Sequence, residues 1–388
     1  MRLERIDAAD ARAVLRGLRS AVLGAGPAIA LGGGDELPRD VPAGTAVVVT
    51  TSGSSGYPKA VALSRAALTS SAMATAARLG SGSWLLALAP GYIAGVQVLV
   101  RALVAGNEPA VLAGPFRAAS FVAAASSMAS SRGGERVPTY TSLVPAQLQT
   151  LLDDPAGCRA LAGFAAVLVG GQALPPALAA RANEAGIRVV RTYGSSETAG
   201  GCVYDGIPLD GVGVRIVDGE VHVSGPTLAD GYLGEPERTA AAFVRDDAGV
   251  RWYRTGDAGR FDGRLTVTGR RDNVIVSGGI NISLDRVERI VRTVPGFIDA
   301  VVVPVADERW GEASIVVAAG MTSDAADAEA DPDLPTLRGL VGDELGAPAR
   351  PRAVLRVPRL PMLASGKPDR PALAALARAW AERIAPER

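Results

Sequence analysis

Apolar and polar positions along this chain follow three successive textures. The first opens with ARAVLRGLRSAVL, spaced as a helix, and a glycine-rich connection. Val47 to Val49 is a short apolar run that reads as a buried strand delivering the stretch TSGSSG. VALS then reads as a turn, and RAALTSSAMATAARLG as an alanine-rich helix with Ser64 placed to cap it. SWLLALAP, EPAVLAG, FAAVLVGGQALP and IRVVRTYGSSET predict strands, and residues 93–105 an amphipathic helix. Strands alternating with helices, with glycine loops after strand ends, predict an α/β core that binds ligands at those ends.

From about Gly211 the texture changes to strict alternation. VGVRIVDGEVHVSG and GRFDGRLTVTGR each carry an Asp-Gly turn, at Asp218-Gly219 and Asp262-Gly263, and predict hairpins of a β-rich subdomain. After Arg270 a helix (SLDRVERIVRTV), two strands (DAVVVPVAD, ASIVVAAG), an acidic linker over 322–335, another helix and a strand (RAVLRVP) predict a compact α+β domain. The expected organisation is therefore a large α/β domain over 1–270 and a small mobile domain over 271–388.

Composition narrows the chemistry. Forty basic and forty acidic residues leave no net charge, which removes a general attraction to nucleic acid or anionic membrane. Cys158 and Cys202 are the only cysteines and form no C-x-x-C pair, a usage that fits a reducing cytoplasm and no disulfide framework. The apolar stretches AVLGAGPAIAL and IAGVQVLVRALVAG are too broken or too short for a signal peptide or an integral membrane segment. His222, the single histidine, alternates with valines and reads as a solvated strand position, so histidine-based hydrolysis and multi-histidine metal sites are disfavoured. Of 40 basic residues only Lys59 and Lys367 are lysine. In a chain so dominated by arginine, a retained lysine points to a need for a compact ammonium.

TSGSSGYPKA is not the P-loop pattern, because two residues separate Gly56 from Lys59. Thr51, Ser52, Gly53, Ser54, Ser55 and Gly56 can nevertheless turn tightly and offer N–H and hydroxyl groups to phosphate oxygens, with Lys59 adding charge. The stretches TYGSSETAG, YRTGDAGR, GRRDNVIVSGGINIS and SGKPDR follow in order. Together these five motifs resemble the adenylate-forming superfamily of acyl- and aryl-CoA ligases, peptide-synthetase adenylation domains and luciferases.

That resemblance implies ATP, Mg²⁺ and coenzyme A as cofactors, and a small-molecule carboxylic acid as partner. The loop after Thr51 would hold the β- and γ-phosphates, and Glu197 would help hold Mg²⁺. Gly170, Gly171 and Gln172 would lie against adenine. Thr192, Tyr193, Gly194, Ser195 and Ser196 would line the adenylate. Asp257 would accept from the ribose hydroxyls, with Arg270 at ribose or phosphate. Lys367 would bridge the carboxylate and the α-phosphate. Asp272 falls at the family's hinge, and Gly278 and Gly279 in the loop beside the CoA tunnel.

Residues 90–103 and 141–152 also resemble the o-succinylbenzoate–CoA ligases of menaquinone synthesis, which implies a substrate region at Tyr92, Ile93, Gly95, Ser142 and Leu143. The early position of the phosphate loop fits a shortened first subdomain. Three positions depart from the usual pattern: Tyr92 where histidine is common, Ser54 and Ser55 for threonines, and GGIN, with Ile280, for GEN. A ligase for another aryl or acyl acid and a non-catalytic adenylate-binding protein are the alternatives, and a homodimer is left open.

Overall fold

The computed structural model describes residues 1–32, 37–52, 58–128, 131–308, 310–320, 331–363 and 366–384. The chain forms two compact units. One comprises Met1–Leu174, Leu178–Thr255 and Phe261–Thr266; the other comprises Pro175–Ala177, Gly256–Arg260 and Val267–Arg388.

In the first unit a five-stranded sheet runs in the order Leu3–Ile6, Ala28–Leu31, Thr45–Ser52, Pro58–Ser64, Gly231–Tyr232. The stretch expected as a turn at VALS is strand instead. Val61 and Leu63 lie opposite Val49 and Val47 in an antiparallel pair, and all four are fully buried. Burying these facing apolar pairs outweighs the turn reading of a segment that follows a loop. Ser64 then caps the helix Arg65–Leu79 through Ala67 N at 3.1 Å, as its position predicts.

The second sheet orders Ile207–Pro208, Gly200–Tyr204, Val189–Ser195, Ala166–Val169, Thr139–Leu143, Ser83–Leu86 and Ala110–Val111. Its central pairs are parallel. Helix Ile93–Val104 packs on both the strand Ser83–Leu86 and the helix Arg65–Leu79. It is therefore buried from Gly95 through Leu103, Gln97 and Arg101 included, rather than amphipathic as expected. Arg101 is accommodated by stacking over Trp84 at 5.0 Å and by donating to Tyr204 Oη at 3.2 Å.

The predicted hairpins are present. Gly213–Val217 pairs antiparallel with Glu220–Ser224, and the turn residues Asp218 and Gly219 both take positive φ, 49° and 77°, the geometry that makes Asp-Gly favourable there. His222, expected on a solvated face, is only 5% exposed, because every residue of its strand is buried. Its Nε2 lies 3.6 Å from Glu220 Oε2, with Arg215 and Arg254 also in its surroundings. Burial holds the imidazole below its ordinary pKa, partly offset by Glu220.

The unfolded chain therefore takes up this proton before the folded chain does. Stability from His222 is complete above the unfolded pKa of about 6.5 and is lost as pH falls toward the depressed folded value. Thermal melts at pH 7.5 and 5.5 are expected to show a smaller loss for His222→Gln than for the wild type. Equal losses would remove His222 from the acid sensitivity.

In the second unit an antiparallel set, Ile280–Ser283, Val274–Ser277, Gly311–Ala319 and Val301–Asp307, takes Ala353–Val357 as a parallel addition on Gly311–Ala319. Period-two alternation feeds two cores. Val302 and Val316 face the helices Leu284–Val291 and Leu334–Leu345, while Val301, Val303, Ile315 and Val317 face Trp380 and Leu373 of helix Arg370–Ile384. That last, alanine-rich helix was not among the elements expected from sequence. Among the described residues no helix is long and apolar enough to cross a membrane.

Candidate active site

The hairpin formed by Thr45–Ser52 and Pro58–Ser64 sets Thr51 opposite Lys59. Gly53, Ser54, Ser55 and Gly56 lie outside the described residues. The short strand Gly231–Tyr232 pairs beside Lys59, with Tyr232 opposite Val61 and Leu233 N donating to Ala60 O. This places the Lys59 ammonium 5.1 Å from the centre of the Tyr232 ring. The Tyr232 phenol donates to Glu197 Oε1 at 3.0 Å in a buried contact. Burial first, and the Glu197 carboxylate second, push the phenol well above the ordinary tyrosine range, so it remains a protonated donor.

Glu197 is turned inward by a tight local structure. Ser196–Thr198 forms one 3₁₀ turn, followed by Ala199 and Gly200 at φ 50° and 93°. The Thr198 hydroxyl accepts from Ser195 N at 2.9 Å and bonds Gly200 O at 2.8 Å, and Ala229 N donates to the Glu197 carbonyl at 2.8 Å. The result is a carboxylate only 7% exposed. Among the described residues, the Tyr232 phenol is its hydrogen-bond donor. Ser195 Oγ is buried beside this turn without a hydrogen-bond partner, an orphaned group of the kind a ligand satisfies.

The described residues contain no cluster of three or more His, Cys, Asp or Glu side chains suited to a metal. A single inward carboxylate does fit Mg²⁺ delivered with a polyphosphate, because that ion keeps water and phosphate oxygens as most of its ligands. Burial pushes the neighbouring Cys202 thiol up to about 12, which removes it as a nucleophile.

Parallel register brings the other predicted residues of this unit to neighbouring strand ends. Leu143 pairs with Val169, and Gly170 N donates to Leu143 O at 3.2 Å. Gly170 answers to a protein neighbour: a Cβ there would stand 2.2 Å from Thr192 Oγ1. Gly171 follows at φ 81°, with the half-buried Gln172 after it. Thr192, Tyr193 and Gly194 lie on the strand Val189–Ser195. Ser142 is buried beside Leu143. The Thr141 hydroxyl, next to Ser142, is spent inside the sheet on Leu85 O at 3.0 Å.

Tyr92 is half-buried at the N-cap position of helix Ile93–Val104, and Gly95 is packed against Ala89 O. Ile93 and Gln97 approach Gly200, with Gln97 Cγ 3.0 Å and Ile93 Cγ1 3.9 Å from where a Cβ of Gly200 would be. The start of this helix thus meets the residues that follow Glu197. Sequence reasoning missed both Gly200 and Tyr232. Tyr232 lies in a two-residue strand with no periodicity, and only strand pairing reveals it.

The second unit carries the remaining residues. Arg270 Nη1 bonds Asp257 Oδ1 at 3.3 Å, while Nε and Nη2 each reach Asp272 at 2.9 Å. Arg270 N also donates to Asp285 Oδ2 at 2.6 Å. One arginine therefore joins Asp257 to Asp272. Gly278 and Gly279 turn the hairpin Val274–Ser277/Ile280–Ser283, and a Cβ on Gly278 would stand 2.6 Å from Trp310. Ile280 is exposed. Lys367 is exposed on a backbone clasp in which Leu363 N donates to Lys367 O at 2.8 Å and Gly366 N to Leu363 O at 2.9 Å.

Fold, motif order and the inward carboxylate define an adenylate-forming enzyme, and comparison with known proteins gives the family. The AMP-binding enzyme family matches residues 28–233, and the AMP-binding enzyme C-terminal domain matches 286–367. The chain belongs to the AMP-binding enzyme family. A probable 2-succinylbenzoate–CoA ligase of Mycobacterium tuberculosis H37Rv is 43% identical over 351 residues, covering 88% of this chain and 85% of that protein. Among solved structures, o-succinylbenzoate CoA synthetase from Bacillus subtilis, in complex with the acyl-adenylate intermediate OSB-AMP, superposes with TM-score 0.68 at 27% identity, covering 85% of this chain and 69% of that one. The amide bond synthetase McbA from Marinactinospora thermotolerans superposes with TM-score 0.70 at 29% identity, covering 91% and 75%.

Proposed function

We propose that this enzyme is an AMP-forming carboxylate–CoA ligase that converts o-succinylbenzoate, ATP and coenzyme A to o-succinylbenzoyl-CoA, AMP and pyrophosphate in cytoplasmic menaquinone synthesis. The observation that carries the reading is the 43% identity extending over 85% of a probable 2-succinylbenzoate–CoA ligase. In the first half-reaction a carboxylate oxygen bonds the α-phosphorus and pyrophosphate leaves; in the second, the CoA sulfur bonds the acyl carbon and AMP leaves. Mg²⁺, when bound with ATP, offsets the charge of the phosphates.

The residues take these roles. Lys59 and the hydroxyls of Thr51 and Ser52, with Gly53–Gly56, hold the terminal phosphates, and Glu197 holds the metal. Gly170, Gly171, Gln172 and the backbone of 192–196 border the nucleoside. Asp257 accepts from the ribose hydroxyls, and Arg270 orients it. Lys367 neutralises charge between the attacking carboxylate and the α-phosphate. Asp272 is the hinge between the domains 1–270 and 271–388, and Gly278 and Gly279 flank the incoming thiol.

Tyr92, Ile93, Gly95, Ser142 and Leu143 border the acid, whose second carboxylate needs donors in an apolar setting. The half-buried Tyr92 phenol and the unpartnered Ser195 hydroxyl are suitable donors. A panel of acids assayed for pyrophosphate, AMP and CoA thioester tests the reading. The expected result is a higher kcat/KM for o-succinylbenzoate than for benzoate or medium-chain fatty acids, with a loss for Tyr92→Phe. A preference for simple acids defeats the substrate assignment, and pyrophosphate release independent of any acid defeats the ligase. The likeness to McbA favours one second reading, an amine in place of CoA as acceptor. Product analysis with CoA and amines offered together separates the two.

A further inference from the structure

We infer that Tyr232 is a positioning residue for adenylation: its phenol fixes the Glu197 carboxylate for the cation that accompanies ATP, while its ring seats the Lys59 ammonium. The inference rests on the proposed role of Glu197. Contacts to both the phenol and the ring converge on this side chain, and Arg238 Cζ also lies 5.4 Å from the ring centre. The phenol donates to Glu197 Oε1 at 3.0 Å, Lys59 Nζ stands 5.1 Å from the ring centre, and the ring packs 6.0 Å from that of Phe243. The Tyr232 backbone is itself held, by pairing with Val61 and by donation from its N–H to Thr239 Oγ1 at 2.9 Å.

The chemistry favours a neutral donor at this point. A carboxylate has about four lone-pair positions, and one donor on one oxygen restrains its rotation while leaving the other oxygen for a ligand. An arginine or lysine in the same place would restrain it too, but would offset the negative charge that attracts a cation. The phenol orients without neutralising. The ring face meanwhile attracts the ammonium of Lys59, so one residue sets the direction of both charged groups.

The test uses the full chain as wild type, Tyr232→Phe, Glu197→Gln and the double variant. Manganese, as a spectroscopically visible substitute for magnesium, is titrated with ATP in the absence of acid and followed by its paramagnetic resonance. Acid-dependent pyrophosphate release is then measured against Mg²⁺ concentration. Tyr232→Phe keeps the ring and is expected to weaken metal binding about 10-fold, the scale of losing a group that orients a metal ligand. Its turnover is expected to recover at high Mg²⁺, which a general folding defect would not allow. In the Glu197→Gln background the same change is expected to add nothing.

If Glu197→Gln weakens manganese binding and Tyr232→Phe does not, the positioning role is wrong and the role of Glu197 stands. If neither variant changes manganese binding, the role of Glu197 fails first. Should Tyr232→Phe not fold, Tyr232→His, with a shorter N–H donor, is expected to fall between wild type and Glu197→Gln. Wild-type binding in a folded Tyr232→His overturns the inference.

Discussion

Lys367→Ala is expected to slow acyl-adenylate formation by about 100- to 1,000-fold, the range seen when one preorganised charge-stabilising group is removed from a reaction centre. Thioester formation from supplied acyl-adenylate is expected to continue near the wild-type rate, because no pentavalent phosphorus forms in that half-reaction. The expectation rests on where the lysine sits and on its rarity. It is one of two lysines among 40 basic residues, and it is carried on a short clasp closed by two backbone hydrogen bonds of 2.8 and 2.9 Å. Arginine would supply charge at this position, but as a broad planar fork rather than a point. Lys367→Arg is therefore expected to restore only part of the first half-reaction. Rapid-quench measurement of each half-reaction checks this, and equal loss of both in a folded variant contradicts the assignment.

What could be read in advance depended on how far apart in the chain the deciding groups lie. The cap at Ser64 and the Asp218-Gly219 turn are decided within four residues, and both are where the local pattern puts them. The strand character of 58–64 depends on Val47 and Val49 across a loop, so a local reading turned it into a turn. His222 was misplaced for a related reason: alternation identifies two faces of a strand but not whether both are covered. Helix Ile93–Val104 carries polar residues at Gln97 and Arg101 that imitate a wet face, whereas they are enclosed by neighbouring elements.

The candidate site divides in the same way. The resemblance of five ordered motifs to the adenylate-forming superfamily is what singles out Lys59, Glu197, Asp257 and Lys367. The contacts that organise them were not visible. Tyr232 meets Glu197 from 35 positions away, and Arg270 draws Asp257 and Asp272 together only after the strand Leu265–Arg270 has turned back. A motif names the groups with chemical capacity, while their orientation comes from long-range pairing.

The anchoring of the Lys367 clasp leads to the largest expected effect on stability. Glu288, on helix Leu284–Val291, is only 6% exposed and accepts from three donors in four contacts. Val302 N reaches Oε2 at 3.0 Å, Arg292 Nη2 lies 2.9 Å from Oε1, and Arg370 Nη2 reaches the two oxygens at 3.0 and 2.8 Å, with Nη1 of Arg370 directed to Val302 O at 3.3 Å. Arg370 opens helix Arg370–Ile384 three residues after Lys367, so this carboxylate ties the lysine segment to the core strand Val301–Asp307. Glu288→Ala leaves a buried N–H and the largely buried Arg292 without their acceptor. Removing one member of a buried network of this kind costs about 3–5 kcal/mol, reduced here toward the lower figure because Arg370, 39% exposed, regains water. A loss of that size is a large fraction of an ordinary domain's stability of roughly 5–15 kcal/mol. Glu288→Gln, which keeps one acceptor for Val302 N, is expected to lose less. Denaturant unfolding of the full chain, followed through the Trp310 and Trp380 fluorescence of the second unit, gives the comparison. A loss below about 1 kcal/mol for Glu288→Ala would mean that the network behaves as an exposed ion pair and does not anchor the clasp.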